Sequence, residues 1–250
     1  MARAADATED RHVDVCIVCH LELEAAPLVA RLRSRRRTRG HEFEIVQGSW
    51  SGRRAAVVRC PRTRAKLASA VEATLAVHQP RVVIAAGFAT GLDAGFKKGE
   101  IVVASTCTNL EEQFTTDTLQ RNAVSLPDGV HQGRIVSMPK LPRKAIAKRQ
   151  LGEQAAAIAV DLQSFTIARI CHEHEKSFSS IRVLSDDAAQ DADPESLAVY
   201  HPSFSFRAGG LIGAWMQGVD RAGRVVTIRS SAKQWAEKLA QVLDVIVRRV

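Results

Sequence analysis

The chain has 250 residues, 46% hydrophobic and 25% charged, an ordinary globular balance with enough length for one large core. No run of 18 apolar residues occurs, so no membrane span is expected. The net charge of +8 collects in Arg31, Arg33, Arg35, Arg36, Arg37 and Arg39; no aromatic residues interleave that run and no helix-turn-helix, RNA-binding or zinc-finger pattern surrounds it, so it reads as a solvated basic corner and nucleic acid is not expected as a partner.

Residues 1–12 are rich in Ala and charge and lack an apolar segment of the secretory type, and read as a short disordered arm before a single domain over 13–250. The first apolar run, 13–19, is a buried strand. It contains Cys16 and Cys19, whose spacing along a strand sends them to opposite faces, so they read as core thiols. Five scattered cysteines, an odd number, suit reduced thiols and a cytoplasmic protein.

A helix follows over 22–32, with Leu28, Val29 and Leu32 on its apolar side. Segments 42–50 and 54–59 flank Ser51-Gly52 and predict a hairpin. Ala-rich 65–78 is a helix stopped by Pro80, and 81–86 a fully apolar strand broken by Gly87. Further strands are expected at 100–104, 133–138, 156–161 and 180–184, with helices at 141–150 and 163–174. Polar 106–130 contains much loop. The tail, 232–250, carries a helical stripe of Trp235, Leu239, Val242, Leu243, Ile246 and Val247. This alternation predicts a sheet covered by helices on both faces.

Four places carry chemistry. His20-Leu21-Glu22-Leu23-Glu24 falls beyond the carboxyl end of the first strand, where open α/β sheets bind ligands, and its carboxylate either holds a water or a sugar hydroxyl or is a first-turn glutamate favoured by the helix dipole. Small residues in Gly87-Phe88-Ala89-Thr90-Gly91-Leu92-Asp93 let backbone amides approach a sugar or an anion, or simply make a tight turn. Asp161-Leu162-Gln163-Ser164 is a strand-to-helix junction at which Asp161 is either a ligand contact or a helix cap. Arg182-Val183-Leu184-Ser185-Asp186 ends a strand with an acid near an arginine, either a functional pair or a capping pair. Cys171-His172-Glu173-His174-Glu175 lacks the His-Glu-x-x-His spacing, and its histidines diverge on a helix, so no metal is expected.

The order of these motifs resembles the superfamily of purine nucleoside phosphorylases, uridine phosphorylases and methylthioadenosine/S-adenosylhomocysteine nucleosidases. Its Gly-rich turn and following strand correspond to Gly87–Asp93 and to Lys98-Gly99-Glu100-Ile101-Val102-Val103. Its Ala-Val-Asp-Met-Glu-Ser segment corresponds to Ala159-Val160-Asp161-Leu162-Gln163-Ser164, and its Arg-x-Ile-Ser-Asp to Arg182–Asp186. The Gly133-Arg134-Ile135-Val136 stretch and the tail are also similar to a hopanoid-associated phosphorylase-like branch.

The resemblance implies a three-layer α/β/α sandwich around a mixed, twisted sheet, a homodimer or larger homo-oligomer, and cleavage of the N-glycosidic bond of a purine-type nucleoside without a cofactor. It implies that Asp186 is the general acid at the base, held by Ser185 and Arg182, and that Glu24 activates the attacking water. A carboxyl that donates near neutral pH needs a raised pKa, which burial supplies. Gly87, Phe88, Ala89, Asp161, Leu162 and Gln163 would line the substrate. Arg62 and Arg64, with Arg59, would hold phosphate if phosphate were the co-substrate in place of water. The departures are specific: Gln163 stands where the family has a ribose-binding glutamate, and Phe88 and Thr90 replace smaller residues in the turn. A phosphorylase, or a nucleoside-binding protein that kept the fold without turnover, are the alternatives.

Overall fold

In the computed structural model, Val15–Cys19 (β1) is buried at all five positions, as its unbroken apolar run requires. The structure describes residues 12–40, 43–60, 63–116, 128–194, 196 and 219–250; nearly all of the expected N-terminal arm, and Arg62, lie outside them. β1 leads into Glu22–Arg31 (α1), whose first turn carries Glu22 and Glu24. Then come Arg33–Arg39 (β2), Glu44–Trp50 (β3), Arg53–Arg59 (β4), Arg64–His78 (α2) and Val82–Gly91 (β5). Ile101–Thr108 (β6), Gln113–Thr115 (β7), Val130–Ser137 (β8), Ala145–Ala155 (α3), Ala159–Asp161 (β9), Ser164–Glu173 (α4), Ser177–Asp186 (β10) and Val219–Val247 (α5) complete the described elements.

The strands form one mixed sheet. β1 runs parallel to β4 and to β5, and the β3–β4 hairpin forms where Ser51-Gly52 predicted it. β5 is a branch point that also pairs with β10 in parallel and with β9 antiparallel. Because β10 pairs β6, β6 pairs β8 and β8 pairs β9, the pairing returns to β5 and closes a five-strand circuit.

Helices cover both faces, giving the expected α/β/α layering. One core joins Cys16, Val18 and Val83 to Leu67, Val71 and Leu75 of α2 and to Ile167 and Ile170 of α4. The other joins Val15, Ile17 and Ile84 to Leu28 of α1 and to Leu239, Leu243 and Val247 of α5. Cys16 and Cys19 sit in opposite cores, as strand alternation demands, and burial pushes both thiols well up from their ordinary range. Among the described residues no cluster of three His, Cys, Asp or Glu side chains is placed to hold a metal, and no helix is long and apolar enough to cross a membrane.

Several boundaries differ from expectation for identifiable reasons. From Arg33 on, the basic run is an exposed edge strand, β2, rather than a corner, and it needs only one hydrogen-bonded neighbour, β3, while Arg31 ends α1 and pairs with Glu237 and Asp244; charged side chains of this kind disfavour further pairing at an open edge. Gly87 does not end β5, because the strand continues to Gly91 between β10 and β9. The helix expected from 141 begins at Ala145, and the tail helix begins thirteen residues before 232.

Candidate active site

The carboxyl ends of β1, β5, β9 and β10 converge on one cavity, lined by His20, Leu21, Glu24, Phe88, Ala89, Thr90, Leu141, Pro142, Asp161, Leu162, Gln163, Arg182, Ser185, Asp186, Ala192 and Ser196. Glu24 and Asp186, 162 positions apart in the chain, are therefore brought to one hollow. Arg182, Ser185, Phe88, Ala89, Asp161, Leu162 and Gln163 join them. Gly87 lies just behind the wall. Arg64 opens α2, with its side chain outside the described part of the structure, and Arg59 is committed to Glu22 and Glu44.

Glu24 is pinned by the turn that starts α1. Its Oε2 accepts the backbone N–H groups of His20 at 2.9 Å and Leu21 at 2.8 Å, and its Oε1 accepts that of Phe88 at 2.8 Å. Three charge-assisted bonds fix a buried carboxylate and leave about one of its four lone-pair sites open, on Oε1. The open side faces Gly87. A methyl group there would lie 2.5 Å from Glu24 Oε1 and 2.9 Å from Arg182 Nη1, so the missing side chain is what lets carboxylate and guanidinium approach each other.

Arg182 sits beside Gly87 in the β5–β10 ladder and is almost wholly buried. Its Nη2 pairs with Asp161 Oδ2 at 2.7 Å and donates to Ser164 Oγ at 2.9 Å, and its Nε donates to the same hydroxyl at 3.2 Å. Asp161 is the hub. It accepts from Ser137 Oγ and Ser164 Oγ, both at 2.5 Å, and from the backbone N–H groups of Gln163 and Ser164. Asp161 thus caps α4 and anchors Arg182 at once, and its carboxylate has no capacity left for a ligand. Cys107 is buried beside this network, where desolvation and then the Asp161 charge push its thiol up.

Asp186 reaches the cavity through an irregularity in β10. Leu184 pairs with Ala89 and Asp186 with the next residue, Thr90, so Ser185 is an inserted residue. The expected partners of Asp186 are corrected here. Ser185 Oγ donates instead to the Ala89 carbonyl at 3.3 Å, because the insertion turns it toward β5, and Arg182 is held by Asp161. Asp186 Oδ2 lies 2.5 Å from Nζ of Lys148, so the carboxyl is not simply buried in an apolar recess.

Gln163 is 5% exposed, and its buried Nε2 has no hydrogen-bond partner among the described residues. His20 lines the wall next to Glu24, with Nδ1 at 2.9 Å from the Cys60 carbonyl; a carbonyl only accepts, so Nδ1 bears the hydrogen. Sequence reasoning gave His20 no role beyond its place in the His20–Glu24 segment, and did not single out Lys148. His20 was within reach, at a strand's carboxyl end; Lys148 carried no signal beyond membership of a basic helix.

Residues 14–121 match the family model described as Phosphorylase superfamily. A 5'-methylthioadenosine/S-adenosylhomocysteine nucleosidase of Lysinibacillus sphaericus (strain C3-41) is 22% identical over 205 residues, which span 72% of this chain and 88% of that relative. Among solved structures, the nucleosidase of that name from Neisseria meningitidis, in complex with methylthio-immucillin-A, has a TM-score of 0.72 at 19% identity, covering 94% of this chain and 99% of its own. The enzyme of that name from S. pneumoniae, with a transition-state inhibitor, has a TM-score of 0.70 at 17% identity over 94% and 98% of the two chains. A futalosine hydrolase mutant of Helicobacter pylori has a TM-score of 0.70 at 12% identity over 94% and 99%. These likenesses show the fold.

Proposed function

We propose that this chain, matched to the phosphorylase superfamily over residues 14–121 and folded like the nucleosidases, hydrolyses the N-glycosidic bond of a purine-type nucleoside. One observation carries the reading: two carboxylates distant in the chain, Glu24 from the first turn of α1 and Asp186 from the end of β10, line a single cavity. That is the arrangement needed to assist both ends of a breaking sugar–base bond, as the paired carboxylates of inverting glycosidases do.

In this reading the base lies against Asp186 and Leu162, and the sugar against Gln163 and the Phe88–Thr90 part of β5. As the C–N bond breaks, the base gains negative charge and the sugar positive charge. Asp186 Oδ1, which has no partner among the described residues, gives its proton to the departing ring nitrogen. Water held between Glu24 Oε1 and Arg182 Nη1 adds to the anomeric carbon and loses its proton to Glu24. Acid assistance of this kind is worth about 100- to 10,000-fold in rate. The chemistry needs no cofactor, and the apolar walls, Leu21, Phe88, Leu141 and Pro142, suit a nucleoside with an apolar 5' substituent such as the alkylthio group of methylthioadenosine.

Water is favoured over phosphate because Arg59 is already neutralised by Glu22 and Glu44. The test is chromatography of free base after incubating the purified protein with methylthioadenosine, S-adenosylhomocysteine, adenosine and inosine, with and without phosphate. Base release without phosphate, lowered by about 100-fold or more in Asp186→Asn, is expected. Strict phosphate dependence replaces hydrolysis by phosphorolysis, and tight binding without release leaves a nucleoside-binding protein.

A further inference from the structure

Lys148, on α3, is 0% exposed, and its ammonium meets three oxygens: Asp186 Oδ2 at 2.5 Å, the Asp187 carbonyl at 2.7 Å and the Gln190 carbonyl at 2.8 Å. A lysine has three N–H donors only as the ammonium, so this is a charged group with every donor used. All three acceptors lie on the stretch that leaves β10 with the acid. The same helix end grips that stretch again: Asp191 accepts from the Ala145 N–H at 2.9 Å and pairs with Lys144 Nζ at 2.7 Å, and the Ala192 N–H donates to the Arg143 carbonyl at 2.7 Å. The neighbouring carboxylate, Asp187, faces elsewhere, toward Lys98 at 3.8 Å.

A cation buried so completely is not needed for cohesion, since well-packed apolar side chains serve a core as well as or better than a buried ion pair. We propose that Lys148 is a positioning residue for base departure, acting only through Asp186. It fixes Oδ2, so that Oδ1 alone is presented to the cavity, and it supplies the counter-charge for the carboxylate that remains after the proton has moved to the base. The step is balanced: the Asp186 O–H bond breaks, an N–H bond forms on the leaving base, and the new negative charge rests beside an ammonium already in place. The inference rests on the reading of Asp186 as the acid.

The test compares two leaving groups. A purine must be protonated to leave, whereas the 4-nitrophenolate of 4-nitrophenyl riboside leaves without a proton. Lys148→Met is expected to lower kcat for purine nucleosides by about 100-fold or more, with KM within about threefold, and to leave cleavage of the aryl riboside within about threefold of wild type. Equal losses on both substrates would mean that Lys148 merely supports the fold, and no loss on either would remove it from the mechanism; both results overturn the proposal. Should Lys148→Met alone fail to fold, the Lys148→Met/Asp186→Asn double variant leaves no unpaired charge behind. Its kcat is expected to equal that of Asp186→Asn, and a further tenfold fall overturns the proposal. If the wild type releases no base from any nucleoside, hydrolysis itself is refuted. Calorimetry with adenine then decides for Lys148: weakening by more than tenfold in Lys148→Met sustains the contact, and unchanged affinity overturns it.

Discussion

Replacing Gly87 by alanine puts a methyl group where none fits. The added carbon would stand 2.5 Å from Glu24 Oε1, 2.8 Å from its Cδ and 2.9 Å from Arg182 Nη1, all closer than real contacts of a methyl carbon. Neither neighbour yields freely, since Glu24 is tied by three backbone N–H groups and Arg182 by Asp161 and Ser164. Displacing the carboxylate breaks its bond to the Phe88 N–H, worth about 1.5–3 kcal/mol as a bond to a charged group, and crowding a packed interior adds about 1–3 kcal/mol. A loss of roughly 3–5 kcal/mol follows, lowering Tm by on the order of 10 °C for a chain of this size. The control is Gly223 on α5, with nothing within 4 Å, where alanine should be neutral or stabilise by up to about 1 kcal/mol. Urea denaturation of the three proteins, with turnover measured on each folded species, reads both effects. A Gly87→Ala protein within about 0.5 kcal/mol of wild type and with undiminished turnover would refute the convergence of Glu24 and Arg182 on which the water site depends.

Asp161→Asn leaves Arg182 with no charged partner in an almost fully buried site and is expected to cost about 3–5 kcal/mol by chemical denaturation; a loss under 1 kcal/mol would deny Asp161 its role as hub. Gln163→Glu supplies an acceptor for both ribose hydroxyls and is expected to raise kcat/KM for unmodified ribonucleosides by about 5- to 30-fold, equivalent to about 1–2 kcal/mol; a fall would show that the carboxamide suits the natural substrate. Glu44 is pushed up by burial but pulled down further by Arg39, Arg37 and Arg59, for a net lowering from 4.5. Its contribution is therefore present above the ordinary carboxylate range and lost as pH falls through the lowered value. Glu44→Gln should cost on the order of 1 kcal/mol near neutral pH, and the gap to wild type should close toward pH 3; a gap independent of pH would contradict this.

The α/β/α layering was legible because the inner strands are continuous apolar runs and the helices carry apolar stripes, and the motif resemblance read from Gly87–Asp93 falls within the superfamily match over 14–121. Other features were hidden for physical reasons. β2 is almost wholly charged and has no apolar alternation, so only its pairing with β3 reveals a strand. The partner of Asp186 could not be read from its neighbours, since the inserted Ser185 turns the ladder and the true partner, Lys148, lies 38 positions earlier on a helix whose basic residues look solvated. Asp161 was open between cap and ligand contact; Ser137, Ser164 and Arg182 converge on it from three elements and decide for structure.

The most direct test of the central claim is a crystal structure of the protein with a non-hydrolysable purine nucleoside analogue. The account predicts a base nitrogen about 3 Å from Asp186 Oδ1, with the anomeric carbon turned toward a water held by Glu24 and Arg182. A nucleoside bound with its base away from Asp186, or outside this cavity, would contradict it.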